Sequence, residues 1–255
     1  MDQLLIVNSV LVLINILIVF LCCKYLSKKK NLILLLSAIL TLVIHFSPLL
    51  YFQIAEGSMM RFLQENAFIL LPAFPCNVMM WFCLIFALLK DKESKFTKFC
   101  VDFIVWLGTV ATLIGMFANI DFIANPTFKD FVVLKGVLSH AALLLNTMLI
   151  ISYKYVKFDF ISNMVNMILV VVMLYIIGGY CNLLIFSLST QEFYYETNAM
   201  FMVHSAFEGI EILTYQIISS IALVIYFITF NIIDFIKNEK GNRWFNRIKK
   251  ATKIT

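Results

Sequence analysis

The sequence predicts an all-α, polytopic membrane protein: a bundle of seven transmembrane helices, N-terminus outside and C-terminus cytoplasmic. Three observations carry this. The first is composition: of 255 residues, 62% are hydrophobic and only 14% charged. With a mean hydropathy of +0.93, that balance excludes an ordinary soluble domain. The second is seven apolar runs, at about 4–23, 31–52, 67–89, 99–119, 131–153, 162–186 and 203–235, against the ~20 residues a bilayer-spanning helix needs. The third is the placing of the cations. Four Lys lie in 24–30, four in 90–98, two in 154–157, and seven Lys or Arg in the tail from Lys237 to Lys253. The alternate loops hold only Arg61 and Lys129. Basic loops stay in the cytoplasm, which sets the orientation.

Taken in order, the first run resembles a signal peptide in length. Its lysines follow the run (Lys24, Lys28, Lys29, Lys30) and no small-residue cleavage site appears, so it is expected to remain as a helix. The whole reads as one membrane domain over residues 1–236 with a basic cytoplasmic tail over 237–255, and the expected location is the cell membrane as a multi-pass protein. The net charge of +5 reflects loop lysines and is no nucleic-acid signal. The six cysteines lie in or beside apolar runs without a CxxC pair, so neither a disulfide framework nor a thiolate metal site is expected. No cofactor is implied. Cys22 and Cys23, beside the inner lysines, are membrane-end residues or lipidation sites. The aromatic pair Trp244-Phe245 in the basic tail suits an interfacial helix on anionic lipid, or a plain positive-inside anchor.

The third run is the unusual one. Leu70-Leu71-Pro72-Ala73-Phe74-Pro75-Cys76-Asn77 places two prolines, a thiol and an amide in a few residues. A helix through Pro72 and Pro75 is broken or kinked, and in a bilayer the freed carbonyls must find partners inside the protein. Polar groups within spans are costly and therefore informative. Cys76 and His140 both lie about nine residues below the outer end of their spans, or roughly 13 Å at 1.5 Å per residue. His45 lies at a similar depth in the second run, as do Tyr180 and Asn182 in the sixth. In the seventh, His204, Glu208, Glu211 and Tyr215 follow i, i+4, i+7, i+11 spacing and are predicted to share one helix face. The inner half of the bundle, where Asp102 and Asp234 lie near the interface, shows little comparable. Each residue also has a bland reading: the cysteine as apolar filler, a histidine as an interhelical hydrogen bond, and Lys135 as a cation snorkelling outward.

Pro75-Cys76-Asn77-Val78, Leu107-Gly108, Pro126, Ser139-His140 and the Tyr180–Asn182 cluster together resemble the transmembrane protein 164 and YwaF-like family of integral membrane proteins, over residues 40–230. Where relatives carry a histidine near the cysteine, this chain has Asn77 after it and Phe74 two before. The resemblance implies a seven-span bundle. It also implies phospholipid acyl transfer using a cysteine and a histidine, which on matching positions are Cys76 and His140. On that reading the chain is a lipid acyltransferase or lipase in which Cys76 is the nucleophile, His140 the base, and Glu208 or Glu211 orients the imidazole. Asn77, His45, Tyr180, Asn182, His204 and Tyr215 would line the substrate site, and the partner is membrane phospholipid. Three alternatives stay open. The first is a metal-dependent hydrolase built on His45, His140, His204 and Glu208. The second is a transporter or small-ligand-binding bundle. The third is a structural protein whose polar groups only join helices.

Overall fold

A computed structural model describes residues 2–59, 69–117, 131–188, 198–202, 212 and 214–252. Among these the chain is helical, without a strand. The helices are α1 (Asp2–Tyr25), α2 (Lys30–Glu56), α3 (Pro75–Leu88), α4 (Lys95–Asp102), α5 (Thr109–Phe117), α6 (Phe131–Ser152), α7 (Phe160–Leu188), α8 (Tyr215–Lys237) and α9 (Trp244–Thr252). A π-helical segment, Phe103–Gly108, joins α4 to α5 as one rod.

Six of these rods are long and apolar enough to cross a membrane: α1, α2, the α4–α5 rod, α6, α7 and α8. The predicted run 67–89 becomes a helix only from Pro75, and its 14 residues reach ~21 Å at 1.5 Å per residue. That is short of the ~30 Å hydrocarbon core. The preceding residues, 69–74, form a turn. The two prolines therefore break the chain rather than kink a helix: Pro72 lies in the turn, and Pro75 takes the first helical position, where its missing N–H costs nothing. Within the predicted run 203–235, residues 212 and 214–235 are described. Thr214 is extended and caps a helix beginning at Tyr215, so the stripe expected through Tyr215 is interrupted there. His204, Glu208 and Glu211 lie outside the described residues.

The bundle is organised around α6, the most enclosed span. It packs against α1, α2, α3, α5 and the π segment, while α7 and α8 pair mainly with each other. Since both lipid and core are apolar, asparagines supply much of the specificity between helices. On α1, Asn8 donates to the Met116 carbonyl of α5. Seven residues on and so on the same face, Asn15 donates to the Ala141 carbonyl of α6 at 2.8 Å. Asn146 of α6 donates to Thr41 Oγ1 of α2 at 2.9 Å and to the Ala142 carbonyl at 2.9 Å. Within α2, Pro48 withholds the N–H that Ile44 would accept, and the Ser47 hydroxyl donates to that carbonyl at 2.8 Å instead. The helix ends at Gly57, whose φ of 65° is the left-handed conformation that a glycine adopts without strain.

At the lysine-rich end the structure holds more than the sparse pattern predicted there. Asp102 is fully buried, paired with Lys98 at 2.8 Å, and accepts from Asn163 at 3.1 Å and Asn166 at 2.6 Å of α7. Asp234 of α8 accepts from the Trp244 amide at 3.0 Å and from Asn238 at 2.8 Å. Arg247 of α9 reaches Asp159 at 2.8 Å, and Trp244 stacks on Phe160 with ring centroids 4.5 Å apart. Both aspartates are therefore polar junctions between helices rather than isolated interfacial charges, and α9 is docked on the ends of α7 and α8. Burial opposes ionisation of Asp159, but the Ser162 amide and the Arg247 guanidinium together outweigh it and hold the carboxyl below its ordinary value.

Candidate functional site

The broken third run determines the local chemistry. Four of the six carbonyls over residues 69–74 are each taken up by a named donor. Ile69 accepts from His45 Nε2 at 3.0 Å, Leu71 from the Asn77 side chain at 3.3 Å, and Ala73 from the Met200 amide at 2.8 Å. Phe74 accepts from the Asn77 and Val78 amides at 2.9 and 3.2 Å. The turn is thereby tied to α2 on one side and to the Ala199–Phe201 turn on the other.

Cys76 is the second residue of α3, so its thiol sits at a helix N-terminus, where the aligned peptide dipoles favour negative charge. Asn77 and Val78 direct their amides back to Phe74. The Cys76 amide, with Pro75 before it, donates to no described backbone carbonyl. The Cys76 thiol contacts Asn77 Oδ1 at 3.5 Å.

Cys76 and Asn77 open onto a cavity of about 50 Å³ bounded by α2, α3 and α6, with Thr41, His45, Lys135, Ser139 and His140 also in its wall. Both histidines have one nitrogen committed to a carbonyl, and this fixes their tautomers when neutral. His45 Nε2 donates to Ile69, so Nδ1 is its basic nitrogen. His140 Nδ1 donates to the Gly136 carbonyl at 2.8 Å, leaving Nε2 as the base. The ring of His140 lies against α5 at Gly115: a Cβ placed on that glycine would stand 2.2 Å from Nε2. Backbone carbonyls thus orient both imidazoles. The described hydrogen bonds do not join Cys76 to either histidine.

Of the residues singled out from the sequence, the structure brings Cys76, Asn77, His45 and His140 around one cavity and leaves Tyr180, Asn182 and Tyr215 away from it. Tyr180 is 65% exposed on the outside of α7, a position that faces lipid in a membrane. Asn182 clamps the Ala199–Phe201 turn, donating to the Ala199 carbonyl at 3.1 Å and accepting from its amide at 3.0 Å. Tyr215 is buried and donates to the Val171 carbonyl of α7. Both have their polar atoms spent on packing. Lys135 and Ser139 were missed as cavity residues, although their i, i+4 spacing with Lys135 one residue short of Gly136 put them on one face of α6. Among the described residues no group of three or more His, Cys, Asp or Glu side chains is placed to hold a metal ion.

The fold and its six long apolar helices define a helical, multi-pass integral membrane protein. No family model, curated protein or solved structure matches the chain.

Proposed function

We propose that the cavity is an intramembrane acyl-transfer site with Cys76 as nucleophile and a phospholipid ester as acyl donor, as the likeness to the transmembrane protein 164 and YwaF-like family implies. The observation that carries this reading is the setting of Cys76. Its thiol stands at a helix N-terminus, on a cavity shared with two imidazoles that each keep an unprotonated nitrogen. That combination places a base beside the thiol, which it can deprotonate as the thiol attacks, whereas a cysteine used as filler needs neither a helix start nor a base.

In the proposed reaction His140 Nε2 takes the thiol proton and Cys76 Sγ attacks the ester carbonyl carbon. The carbonyl π electrons move to oxygen, and the Cys76 amide donates to that oxyanion. The carbon–oxygen bond to glycerol then breaks, and the leaving oxygen takes the proton back from His140. The products are a lysolipid and a Cys76 thioester. An acceptor alcohol, or water, surrenders its proton to the same imidazole as it attacks the thioester, and the departing sulfur recovers it. The cavity's size, room for little more than a water or two, admits an ester group while the acyl chains lie outside along α2, α3 and α6. On the proposed topology the site lies in the outer-leaflet half.

The test is acyl trapping. Protein reconstituted with acyl-labelled phospholipid and quenched in acid is expected to retain hydroxylamine-sensitive label, which Cys76→Ala abolishes. His140→Ala should slow labelling more than His45→Ala. If the parent protein gives neither label nor product lipid, the proposal fails.

A further inference from the structure

The charge of the cavity wall is unbalanced. Lys135 lines it without any described hydrogen bond or ion pair, and no carboxylate is among the described lining residues. One helical turn further along α6, on the same face, the Ser139 hydroxyl is 92% buried by residue and has no hydrogen-bond partner. Thr41 has already directed its proton to the Ser37 carbonyl and accepts from Asn146, so it offers Ser139 little. Among the described residues the cavity therefore presents an ammonium and an unspent hydroxyl, beside the N-terminus of α3, with no carboxylate to receive them. A snorkelling lysine needs none of this, because its charge would end in the headgroup layer and leave Ser139 unrelated to it. Buried donors without acceptors are rare and mark a missing partner.

We propose that Lys135 and Ser139 bind an oxyanion, the phosphate or carboxylate of an anionic amphiphile, at the mouth of this cavity. Lys135 donates a charge-assisted hydrogen bond, and the Ser139 hydroxyl donates to the same group. The spacing suits a lipid. Lys135 precedes His140 by five residues, ~7.5 Å along the helix axis, so an anionic group on Lys135 is separated from the reacting pair by about the extent of a glycerol backbone. As the substrate-selecting part of the acyl-transfer site, this inference rests on that reading. As a binding site it does not need a reactive thiol and is tested without one.

The experiment is calorimetric titration of the full-length chain in nonionic detergent, using the Cys76→Ala protein and the same protein carrying Lys135→Gln, Lys135→Arg or Ser139→Ala. The probes are dioctanoyl phosphatidic acid, inorganic phosphate, decanoate and, as neutral control, dioctanoylglycerol. Phosphatidic acid is expected to bind, with affinity falling roughly tenfold or more in Lys135→Gln, only modestly in Lys135→Arg, and by an intermediate amount in Ser139→Ala. Binding confined to phosphatidic acid names a lipid phosphate. Equal binding of inorganic phosphate names a free phosphate, and binding of decanoate alone names a fatty carboxylate. Each of these outcomes supports the oxyanion site. Equal affinity for dioctanoylglycerol, unchanged affinity in Lys135→Gln, or no binding of any acid overturns it. Anion binding without acyl trapping would remove the acyl-transfer reading alone. Acyl trapping from a neutral donor, unchanged in Lys135→Gln, would remove this inference alone.

Discussion

Gly115→Ala tests the placing of His140 most directly, because one methyl group is set against one ring. The added Cβ would lie 2.2 Å from Nε2, 2.3 Å from Cδ2 and 2.9 Å from Cε1 of the imidazole. Non-bonded heavy atoms pack at ~3.5 Å, so the ring must retreat by about 1.3 Å. It cannot do so and keep Nδ1 at 2.8 Å from the Gly136 carbonyl, since a comparable displacement carries the contact past hydrogen-bonding range. Overpacking of this kind costs about 1–3 kcal/mol and the lost bond about 1 kcal/mol. Replacing a helical glycine by alanine offsets about 0.5–1 kcal/mol. A net destabilisation of roughly 2 kcal/mol is expected in denaturant unfolding from detergent micelles. The same substitution in a His140→Ala background should become neutral or stabilising, since the obstructing ring is gone. Equal costs in the two backgrounds would mean that Gly115 and His140 do not touch, and the geometry assigned to the imidazole would be wrong.

Three further outcomes follow from the junctions between helices. Asn146→Leu removes the donor that α6 offers Thr41 on α2 and should lower stability by about 0.6–1.7 kcal/mol, the range for interhelical hydrogen bonds in membranes; thermal unfolding reads it. Asp102→Ala leaves the Asn163 and Asn166 amides without this acceptor and Lys98 with Asn163 Oδ1 alone. It should cost about 3 kcal/mol, the low end for breaking a buried pair, because the Lys98 side chain is 23% exposed and can turn to water. The third outcome concerns pH. Asp159 has a folded-state pKa below its unfolded value, so its contribution is complete above the unfolded value of ~3.9 and is lost as pH falls through the lower folded value. Undocking of α9, followed by the fluorescence of Trp244, should therefore set in below about pH 4, and Arg247→Ala should move its onset to higher pH. An unchanged onset would separate the latch from this ion pair.

The spans themselves were largely legible because apolarity and length report them directly: the runs at 131–153 and 162–186 match α6 and α7 within two residues at either end. The break at Pro72 and Pro75 was legible too, since proline chemistry dictates it. Its consequence was not. Only the folded chain shows that Ile69, Leu71 and Ala73 recruit His45, Asn77 and the Met200 amide, because those partners come from distant parts of the sequence or depend on the turn's shape. Within the run 203–235 the extended Thr214 was not legible, because apolar residues continue on both sides of it and hydropathy cannot register a local break. Asn8 and Asn15 passed unnoticed although their seven-residue spacing marks one helix face. A neutral amide weighs little beside a carboxylate when polar residues are ranked by charge, yet in a bundle without water it is the commoner adhesive.

The π-helical segment between Asp102 and Thr109 makes the α4–α5 rod a matter of phase. Such a turn accommodates one residue more than an α-helical turn does, and each residue of helix carries ~100° of rotation. Asp102 faces α7 and Gly115 faces the His140 ring, and this pair of bearings holds only while the extra residue is present. Deleting a single residue from 103–108 would leave composition and hydropathy nearly untouched. It would nevertheless rotate the far half of the rod by about a quarter turn or more, pointing a side chain where Gly115 now makes room. The length of that segment, more than the identity of any residue in it, keeps the two ends of the molecule in step.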